Sequence, residues 1–307
     1  MRLLPMAAAA LVAAPFCTAP LAAQSIELPR LMSARAVTSL PAAAPSETLP
    51  YGEAPSQKVE LFLPRPDAEH PDALRPVVVL IHGGCWQKAI AGPEIMRPAA
   101  GAFVEKGYAV WSIGYRGIDE EGGGYPGTYQ DVGKAIDLLR DHAEANKLDL
   151  NRVVVFGHSA GAHLALWAAG RSKLPAASPL ASEKPLRPRA VVGVGGIGSL
   201  KNWEQEIGLI CGADTVAKLA PGEGDARFAD TSPELLLPTG IPVVMLHGVF
   251  DPVTYPAIGF DYIQAVRKAG DRGDIQIAPV SGHFEVIAPG TSAFAQALAA
   301  VQRYAGQ

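Results

Sequence analysis

No apolar stretch of this 307-residue chain runs uninterrupted for the ~20 residues that a membrane-spanning helix needs. The most apolar segment, residues 3–19, is broken by Pro5 and Pro15, and Pro20 follows it. Charge is scarce as well: Asp, Glu, Lys and Arg make up 18% of the chain and the net charge is −4. That balance gives no electrostatic reason to expect nucleic acid or an anionic membrane surface as a partner, and it suits small neutral substrates better. With 49% hydrophobic residues the composition argues against disorder or coiled coil, and the length allows one α/β domain with a large core.

Cysteine is equally sparse, with three residues. Cys17 follows Phe16, which does not fit the small-residue pattern before a lipidated cysteine. It lies inside residues 1–23, which have the form of a cleavable export signal: Arg2, an alanine-rich apolar stretch, and Leu21-Ala22-Ala23 before Gln24. The expectation is a soluble protein exported to a bacterial periplasm or beyond. Removal of that segment leaves Cys85 and Cys211, for which an oxidising compartment permits a disulfide. Two small buried thiols are the alternative, and the sequence does not say whether the pair meets.

Residues 24–50 are rich in Ala, Pro and Ser without a sustained period and are expected to be a linker, with the domain beginning at Tyr51 and running to 307. From there strand-like runs at 58–63, 77–81, 109–113, 153–156, 190–194, 243–246 and 275–278 alternate with helix-like ones at 94–106, 128–146, 159–170, 257–269 and 292–304. Such alternation predicts an α/β fold with a mostly parallel central sheet and helices on both faces. Residues 171–189 read as a surface loop. Residues 199–237, with Trp203, Ile207, Leu209 and Ile210 but no strand pattern, read as a small lid-like insertion.

Gly157-His158-Ser159-Ala160-Gly161 stands between a β-type run and a helical one. A serine hydroxyl is a poor nucleophile unless a sharp strand-to-helix turn exposes it to a base and to oxyanion donors, and glycines two residues to either side permit that turn. The pentapeptide is weak evidence alone, so its context decides. Upstream, His82-Gly83-Gly84-Cys85-Trp86 follows a strand-like run, where bare glycine backbone can turn N–H groups toward an oxyanion. Downstream, Asp251 lies past the run at 243–246, and His283 is the only histidine after it. A Ser, Asp, His order therefore leaves His283 as base, with Asp251 as its orienting carboxylate. Asp261, Asp271 and Asp274 are weaker candidates because they fall in a helix or the following turn. Glu285 is expected to flank His283 as a solvent-competing side chain.

Other polar features have plainer expectations. His158 is the variable position of the pentapeptide, His163 is a packing residue, and His82 and His247 brace loops at strand ends. His82, His158, His247 and His283 lack the spacing of a metal motif, so no metal or cofactor is expected. Gly193-Val194-Gly195-Gly196-Ile197-Gly198 matches a dinucleotide fingerprint, but no apolar-faced helix follows and no ribose-binding acid lies downstream. Trp86, Trp203 and the Gly122-Gly123-Gly124 turn are expected around the substrate.

Taken together, His82-Gly83-Gly84-Cys85-Trp86, the stretch Gly157-His158-Ser159-Ala160-Gly161-Ala162-His163-Leu164, Asp251 and Gly282-His283-Phe284 resemble the α/β-hydrolase superfamily. The likeness is to its esterase and lipase group, which includes bacterial feruloyl and acetyl esterases and the kynurenine formamidases. It covers about residues 51–304, and the His-Gly-Gly-x-Trp form is its more specific part. The resemblance implies Ser159 as nucleophile, His283 as base, Asp251 as its partner, and N–H groups of Gly84, Cys85 and Ala160 at the oxyanion. Cysteine at position 85 departs from the bulky residue often found there. The expected activity is hydrolysis of small esters through an acyl-enzyme. Arylformamidase activity and an inert binding relative of the same fold are the alternatives.

Overall fold

The computed structural model describes residues 29–66 and 68–306, so the expected export signal lies outside the described residues. The chain divides into two units, 1–30 and 31–307, and the second carries the fold. In chain order its elements are α1 Ala34–Thr38, β1 Glu47–Pro50, β2 Lys58–Phe62, β3 Arg75–Ile81, α2 Arg97–Glu105, β4 Ala109–Ile113, α3 Gly127–Asp137, α4 Leu139–Ala143, β5 Leu148–His158, α5 Ala160–Gly170, β6 Ala190–Val194, α6 Glu204–Cys211, α7 Thr215–Leu219, β7 Val243–Gly248, α8 Pro256–Lys268, β8 Gly273–Ala278 and α9 Ser292–Ala305. The strands form one eight-stranded sheet in the order β1-β2-β4-β3-β5-β6-β7-β8. β3 to β8 are parallel, while β1 and β2 add an antiparallel edge.

The inner parallel strands are apolar on both faces because helices cover both, while β8, at the edge, is half-buried and carries Asp274 and Gln276. Alternation sends Val77, Val79 and Ile81 of β3 to one core, with Val132 and Ile136 of α3, Leu164 of α5 and Ile263 of α8. Val78 and Leu80 go to the other, with Val37 of α1, Phe103 of α2 and Phe294 and Val301 of α9. Local chemistry sets the ends: α8 begins on Pro256, and the Thr291 side chain accepts the Phe294 N–H at the start of α9. Every residue of α5 is buried, so it is a central helix with no solvent face. Among the described residues no helix is long and apolar enough to cross a membrane.

Two expectations need correcting. The described part of the supposed linker holds α1 and β1, and β1 pairs with β2 from Glu47↔Leu61 to Pro50↔Lys58. β1 was hidden because an edge strand of four residues with one buried position and a terminal proline shows almost no alternation. The run expected as one helix over 128–146 is two, interrupted at Leu138.

The fingerprint-like glycines after β6 are sites of close backbone approach. A Cβ at Gly193 would lie 2.8 Å from Met245 Sδ, at Gly196 2.2 Å from Ala162 Cβ, and at Gly198 2.1 Å from Tyr262 Cγ. Ala162 Cβ is fixed to the α5 backbone and cannot swing aside. Gly196→Ala is therefore expected to destabilise the fold by the ~1–3 kcal/mol typical of overpacking. Urea unfolding checks this; an unchanged midpoint would contradict the packing argument.

Candidate active site

Strand order reverses at β3, whose neighbours are β4 and β5, and ligands of open α/β sheets gather beyond the carboxyl ends of the strands at such a point. Pairing of Ile81 with Gly157 sets the loop after β3 beside the turn after β5. Ser159 occupies that turn at φ 54°, ψ −121°, a conformation that side-chain-bearing residues rarely adopt and that costs on the order of 1–3 kcal/mol. Its N–H donates to Val194 O at 3.0 Å, which anchors the turn to β6. The two flanking glycines are obligatory. A Cβ at Gly157 would sit 2.2 Å from Gly161 O, and one at Gly161 would sit 2.2 Å from Ile81 O.

His283 and Asp251 come together from the loops after β8 and β7. His283 Nδ1 donates to Asp251 Oδ2 at 2.8 Å. Asp251 Oδ1 accepts the Val253 and Thr254 N–H groups, each at 2.8 Å, and Oδ2 accepts the Thr254 hydroxyl at 2.9 Å. Burial alone would raise the Asp251 pKa, but the hydrogen bond and charge of His283 and the two backbone donors outweigh it and hold the carboxyl below its ordinary range. Asp251 is thus ionised at neutral pH and selects the tautomer in which His283 Nε2 is the basic nitrogen. Gly195, at φ +52°, makes room for the pair: a Cβ there would lie 3.2 Å from His283 Nδ1 and 3.3 Å from Asp251 Oδ2. Ser159 and His283 line one cavity of about 250 Å³. Among the described residues no hydrogen bond closes between Ser159 Oγ and His283 Nε2, and such contacts often tighten only around a bound substrate.

On the other side of Ser159 stands the loop His82-Gly83-Gly84-Cys85-Trp86. A Cβ at Gly83 would be 2.8 Å from Ser159 Cβ, so only glycine lets the loop approach this closely. His82 is buried, stacked on Tyr115 at 4.3 Å, and burial pushes its pKa down to about 4. The neutral ring donates from Nδ1 to Gly83 O at 2.7 Å. In a trans peptide the next N–H points opposite the carbonyl, so this bond also fixes the direction of the Gly84 N–H. The N–H groups of Gly84, Cys85 and Ala160 donate to no described residue, and Cys85 and Trp86 both have positive φ.

Three further histidines near the site are brackets. His158 Nε2 donates to His283 O at 2.9 Å, and burial first, then the His283 charge, lowers its pKa to about 3. His163 takes the Trp86 indole N–H on Nδ1 at 3.2 Å and donates from Nε2 to Thr231 O at 2.9 Å; burial lowers its pKa to about 4. His247 donates from Nδ1 to Thr254 O at 2.8 Å, bracing the segment that holds Asp251. Glu285 does not compete for solvent as expected. It is buried and accepts the Gly282 and Met32 N–H groups, so it staples the His283 loop. Hydrophobic periodicity carries no sign of these polar contacts, and those of His158, His163 and Met32 also join residues far apart in the chain.

A second, smaller cavity of about 10 Å³ also meets Ser159, and it is lined by Trp86, Ala160 and Trp203 among others. Trp86 is a fully buried wall held by His163, while Trp203 is tied to Asp261 Oδ2 through its indole N–H at 3.1 Å. The Gly122-Gly123-Gly124 turn lines neither cavity and packs instead on Gly117 and Lys218. The insertion at 199–237 contributes α6 as a roof, and Cys211 at its end forms a disulfide with Cys85, Cα to Cα 5.3 Å.

This sheet, its strand-to-helix serine and the loop after β3 define an α/β-hydrolase of the esterase and lipase group. The pattern of the BD-FAE family matches residues 60–256, and the chain belongs to that family. It is similar to Esterase LipQ of Mycobacterium tuberculosis, 27% identical over 74% of this chain and 54% of that protein. It is also similar to isoprenylcysteine alpha-carbonyl methylesterase ICME of Arabidopsis thaliana, 31% identical over 38% of this chain and 25% of that protein. The chain thus spans about half the length of the first relative and a quarter of the second. Its fold resembles esterase B from Lactobacillus Rhamnosis at a TM-score of 0.73 and 20% identity, covering 89% of this chain and 90% of the other. The esterase Est2 of Thermogutta terrifontis matches at a TM-score of 0.63 and 21% identity, over 84% and 90% of the chains.

The lowered histidine values have a thermodynamic consequence. Folded-state pKa values of about 4 for His82 and His163 and about 3 for His158 lie below the ordinary 6.5, so unfolding takes up protons in acid. Stability is full above about pH 6.5 and is expected to fall toward pH 4 by ~1.4 kcal/mol per pH unit for each histidine. Urea unfolding at pH 7, 6 and 5 measures this, and a flat profile would show that the rings are not held neutral.

Proposed function

We propose that the chain is a serine carboxylic-ester hydrolase acting on small acyl or aryl esters through Ser159, His283 and Asp251. The observation that carries this reading is the placement of Ser159 at a positive-φ turn in one cavity with an imidazole whose Nδ1 is bonded to an ionised carboxylate at 2.8 Å. His283 Nε2 takes the Ser159 proton as Oγ attacks the ester carbonyl, and Asp251 stabilises the resulting imidazolium. The N–H groups of Gly84, Cys85 and Ala160 receive the oxyanion, with Gly83 allowing the approach. Collapse expels the alkoxide, which takes the proton from His283; water, deprotonated by the same ring, then releases the acid. The names of the relatives and the BD-FAE membership support an ester substrate. The segment 1–23 supports export, and we place the activity in a periplasm or outside the cell on that ground.

Ser159→Ala is expected to keep the fold and lose at least ~10³-fold in kcat on p-nitrophenyl acetate. A fluorophosphonate probe should label the wild type at Ser159 and leave the variant unlabelled. Turnover retained in the variant would overturn the assignment, and an unlabelled wild type would favour an inert binding relative.

A further inference from the structure

We propose that the Cys85–Cys211 disulfide determines which acyl groups the site accepts, by locking the lid helix α6 onto the oxyanion loop. This rests on the serine-esterase reading above. A tetrahedral carbon on Ser159 carries its oxyanion, an acyl substituent and the departing alkoxide, and the last must lie within reach of His283 Nε2 to be protonated. His283 lines the larger cavity and not the smaller. The alcohol therefore belongs in the cavity of about 250 Å³ and the acyl group in the one of about 10 Å³, a volume suited to a methyl-sized group.

The small cavity is closed by α6, which supplies Glu206, Ile207, Ile210 and Cys211, against Cys85 and Trp86 of the oxyanion loop. Apart from the bridge, α6 is held by Ile207 and by polar ties near its two ends. Only Ile207 is buried, while Leu209 is 87% exposed, and a helix of eight residues is not stable by itself. Its first turn is tied by the Arg227–Glu204 ion pair. Its last residue is held by the disulfide and by two hydrogen bonds to Cys211 O, from Gln87 Nε2 at 2.8 Å and from the Thr215 hydroxyl at 2.9 Å. Cys85 and Ile210 border both cavities, so the bridge stands where the acyl and alcohol sides divide. Both cysteines are partly exposed, within reach of a small dithiol.

The test is an acyl-length series of p-nitrophenyl acetate, butyrate and octanoate on the full-length mature protein, oxidised, reduced with dithiothreitol, and as Cys211→Ala. Reduction passes two electrons and two protons to the bridge, giving two thiols while the reductant closes to its cyclic disulfide; alkylation and mass spectrometry confirm the state. The oxidised enzyme should prefer acetate to octanoate by about 100-fold in kcat/KM, and reduction and Cys211→Ala should each shrink that ratio by about tenfold or more, chiefly through a lower KM for octanoate. Reoxidation should restore it. Should Cys211→Ala not fold, reduction of the folded wild type decides. A ratio that moves less than about twofold on verified reduction overturns the proposal. So do free thiols in the exported protein, or an equal loss of turnover on all three esters with an intact circular dichroism spectrum. Failure of the oxidised enzyme on every ester instead defeats the serine-esterase reading itself; acetate hydrolysis with an unmoved ratio defeats only the role of the disulfide.

Discussion

The backbone of Gly161 lies so close to the carbonyls of Ile81 and His82 that no side chain fits between them, and through this approach the start of α5 meets the end of β3. Gly157 makes the same approach to Gly161 from below. With these two positions bare, Ser159 takes a conformation unfavourable to it and its segment is pressed against the glycine loop after β3. The energy comes from elsewhere. α5 is buried along its whole length, and the parallel strands beneath it are apolar on both faces, so the core can hold a strained turn at its rim.

Electrostatic order around the turn follows from burial acting unequally on similar side chains. His82, His158, His163 and His247 lie in apolar surroundings with a carbonyl to donate to, and burial lowers all four pKa values. Neutral rings of this kind are directional donors that add no charge. His283 alone among them has a carboxylate on Nδ1. Of the four, His158 and His247 are near enough to feel the Asp251 charge, and as neutral rings they leave His283 as its hydrogen-bonded partner.

The middle of the sheet was legible because its strands are apolar on both faces, a signal that survives without any partner in view. The run at 77–81, for example, matches the buried part of β3. That Ser159 and His283 would share a cavity was legible for another reason: the strand-turn-helix context is local, and chain order left one histidine. β1 was not, since a short edge strand has no pattern to show. Gly193 to Gly198 misleads in an instructive way. A dinucleotide fingerprint and a tight packing turn both need glycine where something comes close, and only the neighbours Met245, Ala162 and Tyr262 tell them apart. The pairing of Cys85 with Cys211 and the hold of Glu285 on Met32 join residues more than a hundred positions apart, and no local signal encodes such meetings.

The bond from His158 to the His283 carbonyl joins the residue before the proposed nucleophile directly to the backbone of the proposed base. Positional error between two reacting groups usually accumulates along the chain that separates them, here more than a hundred residues. A single contact one residue from Ser159 short-circuits that path. The loop that carries the imidazole is thus referenced directly to the turn that carries the serine, through one contact, and not only through the sheet between them.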